Sequence, residues 1–395
     1  MLVIGGRQMF EKNHKPIHIV VFLSRIFVGV IMVFLFVFCL VISPLSPSSA
    51  SLKHSMSKSD ISGLFVYMLQ SENHSLFADK HVHADISLSK VLFTLVTNIN
   101  PSKSITLLGS EIPGLDVYNT EIAIAGKGTN LTNLPFDPPP KSDDDITKER
   151  QIADEQNVND KENNSGGNSQ QGQDDKNNLK KAVYIYHTHS WESFLPLING
   201  AKVPDDATST NNKINVVAVG TRLSQDLINK GIGVEHDTSN MGAELKGKNW
   251  NYNNSYTLSR EHVQEAMTGD RDVKFLIDIH RDSQRKAITT TTINDKKYAR
   301  IDIIVGKENQ NYKENLNYAK ELNSLLEKLY PGLSRGVFIK SKSDGNGIYN
   351  QDLSNRSILL EFGGVDNNLE ELYNAVDAFA KVFSEYYWKA EEVNG

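Results

Sequence analysis

From Lys181 onward, short apolar runs alternate with stretches of helical periodicity, and that alternation fixes the fold class before any single residue is considered. The runs at Ala182–Tyr186, Gly233–His236, Phe275–Ile279, Arg300–Val305, Gly336–Ile339 and Ser357–Glu361 read as strands. Between and after them, helices are predicted over Ile214–Asn229, Tyr256–Met267, Tyr312–Leu329 and Leu369–Tyr387. The third carries Leu316, Ala319, Leu322, Leu325, Leu326 and Leu329 on one broad face. The last opens at Asn368 with Glu371 three residues on, a capping-box pattern. Alternation of this kind predicts an α/β domain over 182–395, its mostly parallel sheet covered by helices on both faces. In such sheets, active sites gather at the carboxyl ends of strands.

The rest of the chain divides by composition. Ile26 to Ile42 is an unbroken apolar run that extends backward through Ile19–Leu23. That suffices for a bilayer, which needs about 20 residues. Arg7, Lys12, Lys15 and Arg25 precede the run, and Ser43–Leu52 is uncharged. The positive-inside rule then puts 1–18 in the cytoplasm, an anchor at 19–42 and everything after it outside. The alternative is a signal peptide cleaved near Ala50, for which the apolar run is long. An external region at 43–136 contains two helix patterns, Ser59–Leu69 and Asp85–Thr97, and a His81/His83 pair read as solvated loop residues. Asp137 to Lys181 opens with three prolines and three aspartates and continues as a tract of Asn, Gln, Asp, Lys, Gly and Ser. It has too little apolar surface to offset chain entropy and reads as a flexible tether.

A formal net charge of -6 argues against a general nucleic-acid binder. The single cysteine, Cys39, excludes an intramolecular disulfide and a cysteine-based zinc cluster. What remains is histidine and carboxylate chemistry, and three strand ends carry it. They are His187-Thr188-His189-Ser190-Trp191-Glu192, then Asp278-Ile279-His280-Arg281-Asp282, then Glu361-Phe362-Gly363-Gly364. Together they supply His, Glu and His for a zinc ion, the ligand types a catalytic zinc takes, plus a second glutamate able to move a proton. Strand alternation would place His187 and His189 on one face, with either as the ligand. Each residue also has an ordinary reading: Glu361 as an ion-pair partner of Arg356 or Arg281, Asp278 as an orienting group for His280, His236 as a rival ligand.

The same residues resemble the zinc N-acetylmuramoyl-L-alanine amidases, and more narrowly the stage II sporulation protein P family. The shared features are His-Thr-His-x-x-Glu, Asp-Ile-His-Arg-Asp, the Ser259-Arg260 pair and Glu-Phe-Gly-Gly. The resemblance implies His189, Glu192 and His280 as zinc ligands and Glu361 as the general base. It implies a membrane-anchored peptidoglycan hydrolase that cuts between muramic acid and L-alanine, and peptide cross-links, at the sporulation septum during engulfment. It further implies cooperation with the stage II sporulation proteins D and M. A wall-binding scaffold with a degenerate site and a secreted metallopeptidase are the alternatives, the latter without a His-Glu-x-x-His helix.

Overall fold

The central strand runs are buried from end to end, which requires cover on both faces of the sheet they form. The computed structural model describes residues 119–153, 179–269 and 272–394, and in them that cover is complete over the central strands and partial at the two edges. Strands β1 (Glu121–Ala125), β2 (Lys181–Tyr186), β3 (Gly233–His236), β4 (Phe275–Asp282), β7 (Ile301–Gly306), β8 (Ser334–Lys340) and β9 (Ser357–Gly364) make one seven-stranded sheet. Its order is β1-β8-β7-β9-β4-β2-β3. A separate hairpin joins β5 (Thr290–Ile293) to β6 (Lys296–Ala299) through Asn294 and Asp295, both at positive φ. That is the conformation of a two-residue type I′ turn.

The helices are α1 (Val216–Asn229), α2 (Met241–Gly247), α3 (Ser255–Gly269), the single turn α4 (Lys286–Thr289), α5 (Tyr312–Leu329) and α6 (Leu369–Asn394). Period-2 alternation sorts the strand residues between two faces. Val183, Ile185, Ile277, Ile279, Ile303, Val305, Leu360 and Phe362 pack against α1, α5 and α6 in the main core. On the other face, Tyr184, Tyr186 and Leu276 meet Val263 and Ala266 of α3, while Ile304, Phe338 and Leu359 meet Leu134 and Tyr349. Burying each such large side chain contributes about 1.5–3 kcal/mol. The predicted cap of α6 is formed: the Glu371 N–H donates to Asn368 Oδ1 (2.9 Å) and the Asn368 N–H to Glu371 Oε2 (3.3 Å).

Two features depart from the sequence reading. Four neighbouring pairs are parallel (β2·β3, β2·β4, β4·β9, β7·β8), but β7 runs antiparallel to β9 and β1 antiparallel to β8. The hairpin β5–β6, unforeseen in the sequence, turns the chain around before β7, so the sheet is mostly parallel in two blocks. Secondly, the domain begins well before 182. The edge strand β1 comes from the region read as separate, and 137–153, read as tether, is seated on the domain. Ile146 is buried among Trp191, Met241, Leu245 and Leu258, and the main chain bonds through Thr210 N–H to Lys148 O (3.1 Å) and Ala153 N–H to Leu197 O (3.0 Å). The predicted anchor at 19–42, both helix patterns of the external region, His81 and His83 lie outside the described residues. Among the described residues, no helix is long and apolar enough to cross a membrane.

Candidate metal centre

The site is built where the chain leaves β2. Beyond Tyr186 the chain turns sharply, and Asp278 of β4 holds the turn. Its Oδ1 accepts the Thr188 N–H (2.9 Å) and its Oδ2 the Thr188 hydroxyl (2.6 Å). The Thr188 hydroxyl also lies 2.8 Å from that of Ser259, to which the Asn350 amide donates (2.9 Å). The turn splits the two histidines of the motif. His187 keeps the alternation of Val183 and Ile185 and stays on the α1 face. There it contacts Ile279 O through Nδ1 (3.1 Å) and His236 through Nε2 (2.9 Å). His189, past the turn, reaches the opposite face beside His280, with ring centroids 4.8 Å apart. The expectation that both share a face fails because β2 ends at Tyr186, so strand alternation does not carry through the turn to His189. Burial pushes His187 down to about 4 and His236 to about 3, so this pair is neutral and away from the cluster.

His189, Glu192 and His280 converge, and Asp137 joins them. One ligand atom from each lies within 4.8 Å of the others. Glu192 Oε1 is 2.9 Å from His189 Nδ1 and 3.1 Å from His280 Nδ1, and Asp137 Oδ2 is 3.4 Å from His189 Nδ1. The second Glu192 oxygen accepts the Arg281 N–H (2.9 Å), which aims the first at the imidazoles. His280 Nε2 sits 3.1 Å from Asp278 Oδ1, close but without hydrogen-bond alignment. Metal-ligating histidines commonly carry such a carboxylate behind them.

These distances test whether a cation fits. Ligands about 2.0–2.1 Å from a tetrahedral zinc stand about 3.3 Å from one another, and the three separations here bracket that value. The donor set, two imidazoles and carboxylate oxygens, suits zinc or a similar divalent ion. Without a cation the same groups form a proton-bearing network. Burial disfavours charge on His280, but Asp278 and Glu192 outweigh it and raise its pKa well above the usual value. Burial likewise opposes ionisation of Glu192, yet His280 and His189 hold its carboxyl well below the usual range.

Glu361 is the cross-strand neighbour of His280, in register on β9. It lines one pocket with Asp137, His189, His280, Tyr252, Tyr256, Lys340 and Tyr349. It is absent from the group within ligand distance. Burial raises its pKa well above the ordinary glutamate value, partly offset by Lys340, whose Nζ is 3.8 Å from Oε1. Oε2 is buried with no hydrogen-bond partner. So Glu361 pairs with Lys340 and not with Arg356, which stacks over Phe275, or Arg281, which bonds the Ser193 and Ala207 carbonyls. Glu361 also lies in a second carboxylate cluster with Asp282 and Asp302, and the Arg335 guanidinium joins those two aspartates (2.7 Å to Asp302), so an arginine fills that cluster. Burial still lifts Asp302 to about 7.

Nothing in an Asp-Pro-Pro-Pro run marks Asp137 as part of the cluster, and the Ser259-Arg260 pair carries no role in the sequence alone. Ser259 supports Thr188, and Arg260 forms a two-pronged pair with Asp352 at 2.7 Å on each prong.

Fold and site together define a mixed α/β protein with a buried candidate divalent-cation centre at the strand ends of its sheet. A sequence model of the stage II sporulation protein P family matches residues 102–384. The chain is also 43% identical over 336 residues to the stage II sporulation protein P of Bacillus subtilis (strain 168), covering 84% of this chain and 82% of that protein. The chain belongs to the stage II sporulation protein P family, and its role lies in sporulation.

Proposed function

We propose that this protein is a membrane-anchored, zinc-dependent peptidoglycan hydrolase acting during forespore engulfment. It cleaves the amide between muramic acid and L-alanine, and peptide cross-links. The observation that carries the reading is the convergence of His189, Glu192 and His280 beside a non-ligating, partly unpartnered Glu361. His189, Glu192 and His280 hold the ion, which supplies Lewis-acid chemistry by polarising a carbonyl and acidifying water. Glu361 accepts a proton from the attacking water and returns it to the leaving amine, and its raised pKa suits a group that must both take and give one. Lys340 limits that rise by keeping a positive charge near the carboxylate. Asp278 fixes the orientation of His280 and of the turn that carries His189. Tyr252, Tyr256 and Tyr349 wall the pocket beside these groups.

The predicted span at 19–42 makes the protein a single-pass protein of the cell membrane, with this domain outside at the sporulation septum. Stage II sporulation proteins D and M are its proposed partners there. The test is product analysis on purified wall. Glu361→Gln should reduce release of peptide stems by at least about 100-fold, the lower end of the range for general acid–base groups, with bound metal unchanged. Full activity in that variant removes Glu361 from the proton path, and wild-type protein free of stoichiometric metal removes the zinc reading.

A further inference from the structure

The carboxylate of Asp137 enters the cluster from a segment far from the three strand-end motifs. Its position is fixed by the main chain of its neighbour Phe136. The Phe136 N–H donates to Asp282 Oδ1 (3.0 Å), and Phe136 O accepts the Ser283 N–H (3.0 Å), tying this segment to the end of β4. Pro138 follows at once and holds the preceding residue in an extended conformation. Further on, Ile146 is buried against Trp191, Met241, Leu245 and Leu258, so the segment is pinned at both ends.

The two Asp137 oxygens have different surroundings. Oδ1 accepts from the Ser283 hydroxyl (3.2 Å) and lies 3.6 Å from Arg281 Nη1. Oδ2 points the other way, 3.4 Å from His189 Nδ1. That is the separation expected of two ligands on one tetrahedral ion, about 3.3 Å. It is longer than the 2.9 Å from the same nitrogen to Glu192. Charge points the same way. Two neutral imidazoles and one carboxylate leave a divalent ion with a net positive charge in a buried pocket, where uncompensated charge is expensive. A second carboxylate balances it.

We propose that Asp137 is a fourth protein ligand of the cation held by His189, Glu192 and His280, in a centre that would expand to five-coordinate when the attacking water enters. This rests on the metal-centre reading of the site. It differs from the role of Glu361, which stands outside ligand distance, and from a simple ion pair with His189, which would place no donor toward Glu192 and His280. The centre is then assembled from both sides of the polar tract, and the 119–153 segment is part of the metal site.

The experiment uses the full chain and its Asp137→Ala and Asp137→Asn variants, with zinc affinity measured by chelator competition and the visible absorption of the cobalt-substituted form. Far-UV circular dichroism checks folding, and Asp137→Asn, nearly the same shape, serves if Asp137→Ala does not fold. Wild-type protein should bind one cation per chain. The variants should lose more than about 100-fold in affinity, beyond the 10–100-fold typical of groups that only support a ligand, and their cobalt absorption should change. If the wild type binds one cation while the variants stay within about tenfold of it and show the same cobalt spectrum, Asp137 is no ligand. A wild type that binds no cation refutes the metal centre itself and is told apart by that result.

Discussion

Asp278→Asn isolates what the carboxylate behind the site contributes. The residue is fully buried, accepts two hydrogen bonds from Thr188 and lies 3.1 Å from His280 Nε2. Asparagine has nearly the same shape, so no cavity opens. Bonds to a charged acceptor contribute about 1.5–3 kcal/mol and neutral ones about 0.5–1.5, so two bonds lose about 2–3 kcal/mol together. At about 2–4 °C per kcal/mol for a domain of this size, the metal-free protein should melt about 4–12 °C lower. The second effect is on His280. The negative charge beside Nε2 favours the tautomer that carries its hydrogen there, which leaves the Nδ1 lone pair facing the cluster. The asparagine carbonyl keeps the Oδ1 place, since the Thr188 N–H needs an acceptor there, so the group facing Nε2 loses its charge and holds the imidazole less firmly. Zinc affinity should fall by about 10–100-fold. Thermal unfolding in excess chelator measures the first effect and chelator competition the second. A melting point within 1–2 °C of wild type (about 0.5 kcal/mol) together with unchanged affinity would refute the assignment of Asp278 as the group that fixes both the turn and the imidazole.

Other outcomes follow from groups away from the cation. His262 is gripped by Asp237 (2.8 Å) and Glu244 (2.9 Å), and its hydrogen bond to Asp237 raises its pKa to about 9. A raised pKa stabilises fully below the unfolded value of 6.5, so this contribution should fade as pH rises from 6.5 through about 9. Denaturant unfolding of His262→Gln against wild type should therefore show a gap at pH 6 that closes by pH 10, and a gap constant with pH would contradict it. Asp237, its carboxyl held down mainly by the His262 hydrogen bond despite burial, adds stability above pH 3.8 that is lost on acidification. A Cβ on Gly220 would stand 2.6 Å from the Nε2 atoms of both His187 and His236. Gly220→Ala should thus destabilise by about 1–3 kcal/mol despite the better helix former, and a stabilised variant would show that the histidine pair yields freely. Arg335→Met strands Asp282 and Asp302 in the core and should cost about 3–5 kcal/mol by denaturant unfolding, whereas a loss under about 1 would mean the carboxylates are neutral there.

The sequence was most legible where one physical pattern ran uninterrupted. The buried runs before His187, His280 and Glu361 alternate or continue as strands, and each ends on a polar group at the sheet rim, so three of the four clustered residues and Glu361 were readable. Strand direction was not. Nothing in Ile301–Gly306 distinguishes a strand parallel to β9 from an antiparallel one, and the answer lay in the Asn294-Asp295 turn, a weaker hairpin signal than Asn-Gly. The choice between His187 and His189 was set by where β2 stops, and that depends on the buried carboxylate of Asp278, 90 residues on in the sequence. Asp137 and Ile146 escaped notice because composition averages over a segment, whereas one anchored apolar residue and one aimed carboxylate suffice to seat it.

The edge strand β1 has a wider implication. It pairs antiparallel with β8 from Glu121 to Ala125, yet the chain that carries it reaches β2 only after the long polar tract. Its place in the sheet is thus held by side-by-side main-chain bonding and the seating of 133–153, not by proximity along the chain. A protein trimmed to 182–395, the boundary composition suggests, would expose the full length of β8 as an unpaired sheet edge, an invitation to intermolecular pairing. The converse also holds: a single peptide-bond cut between 153 and 179 would leave the N-terminal piece as a strand donor in trans, and two separately produced pieces would be candidates to reassemble by supplying β1 to an open sheet.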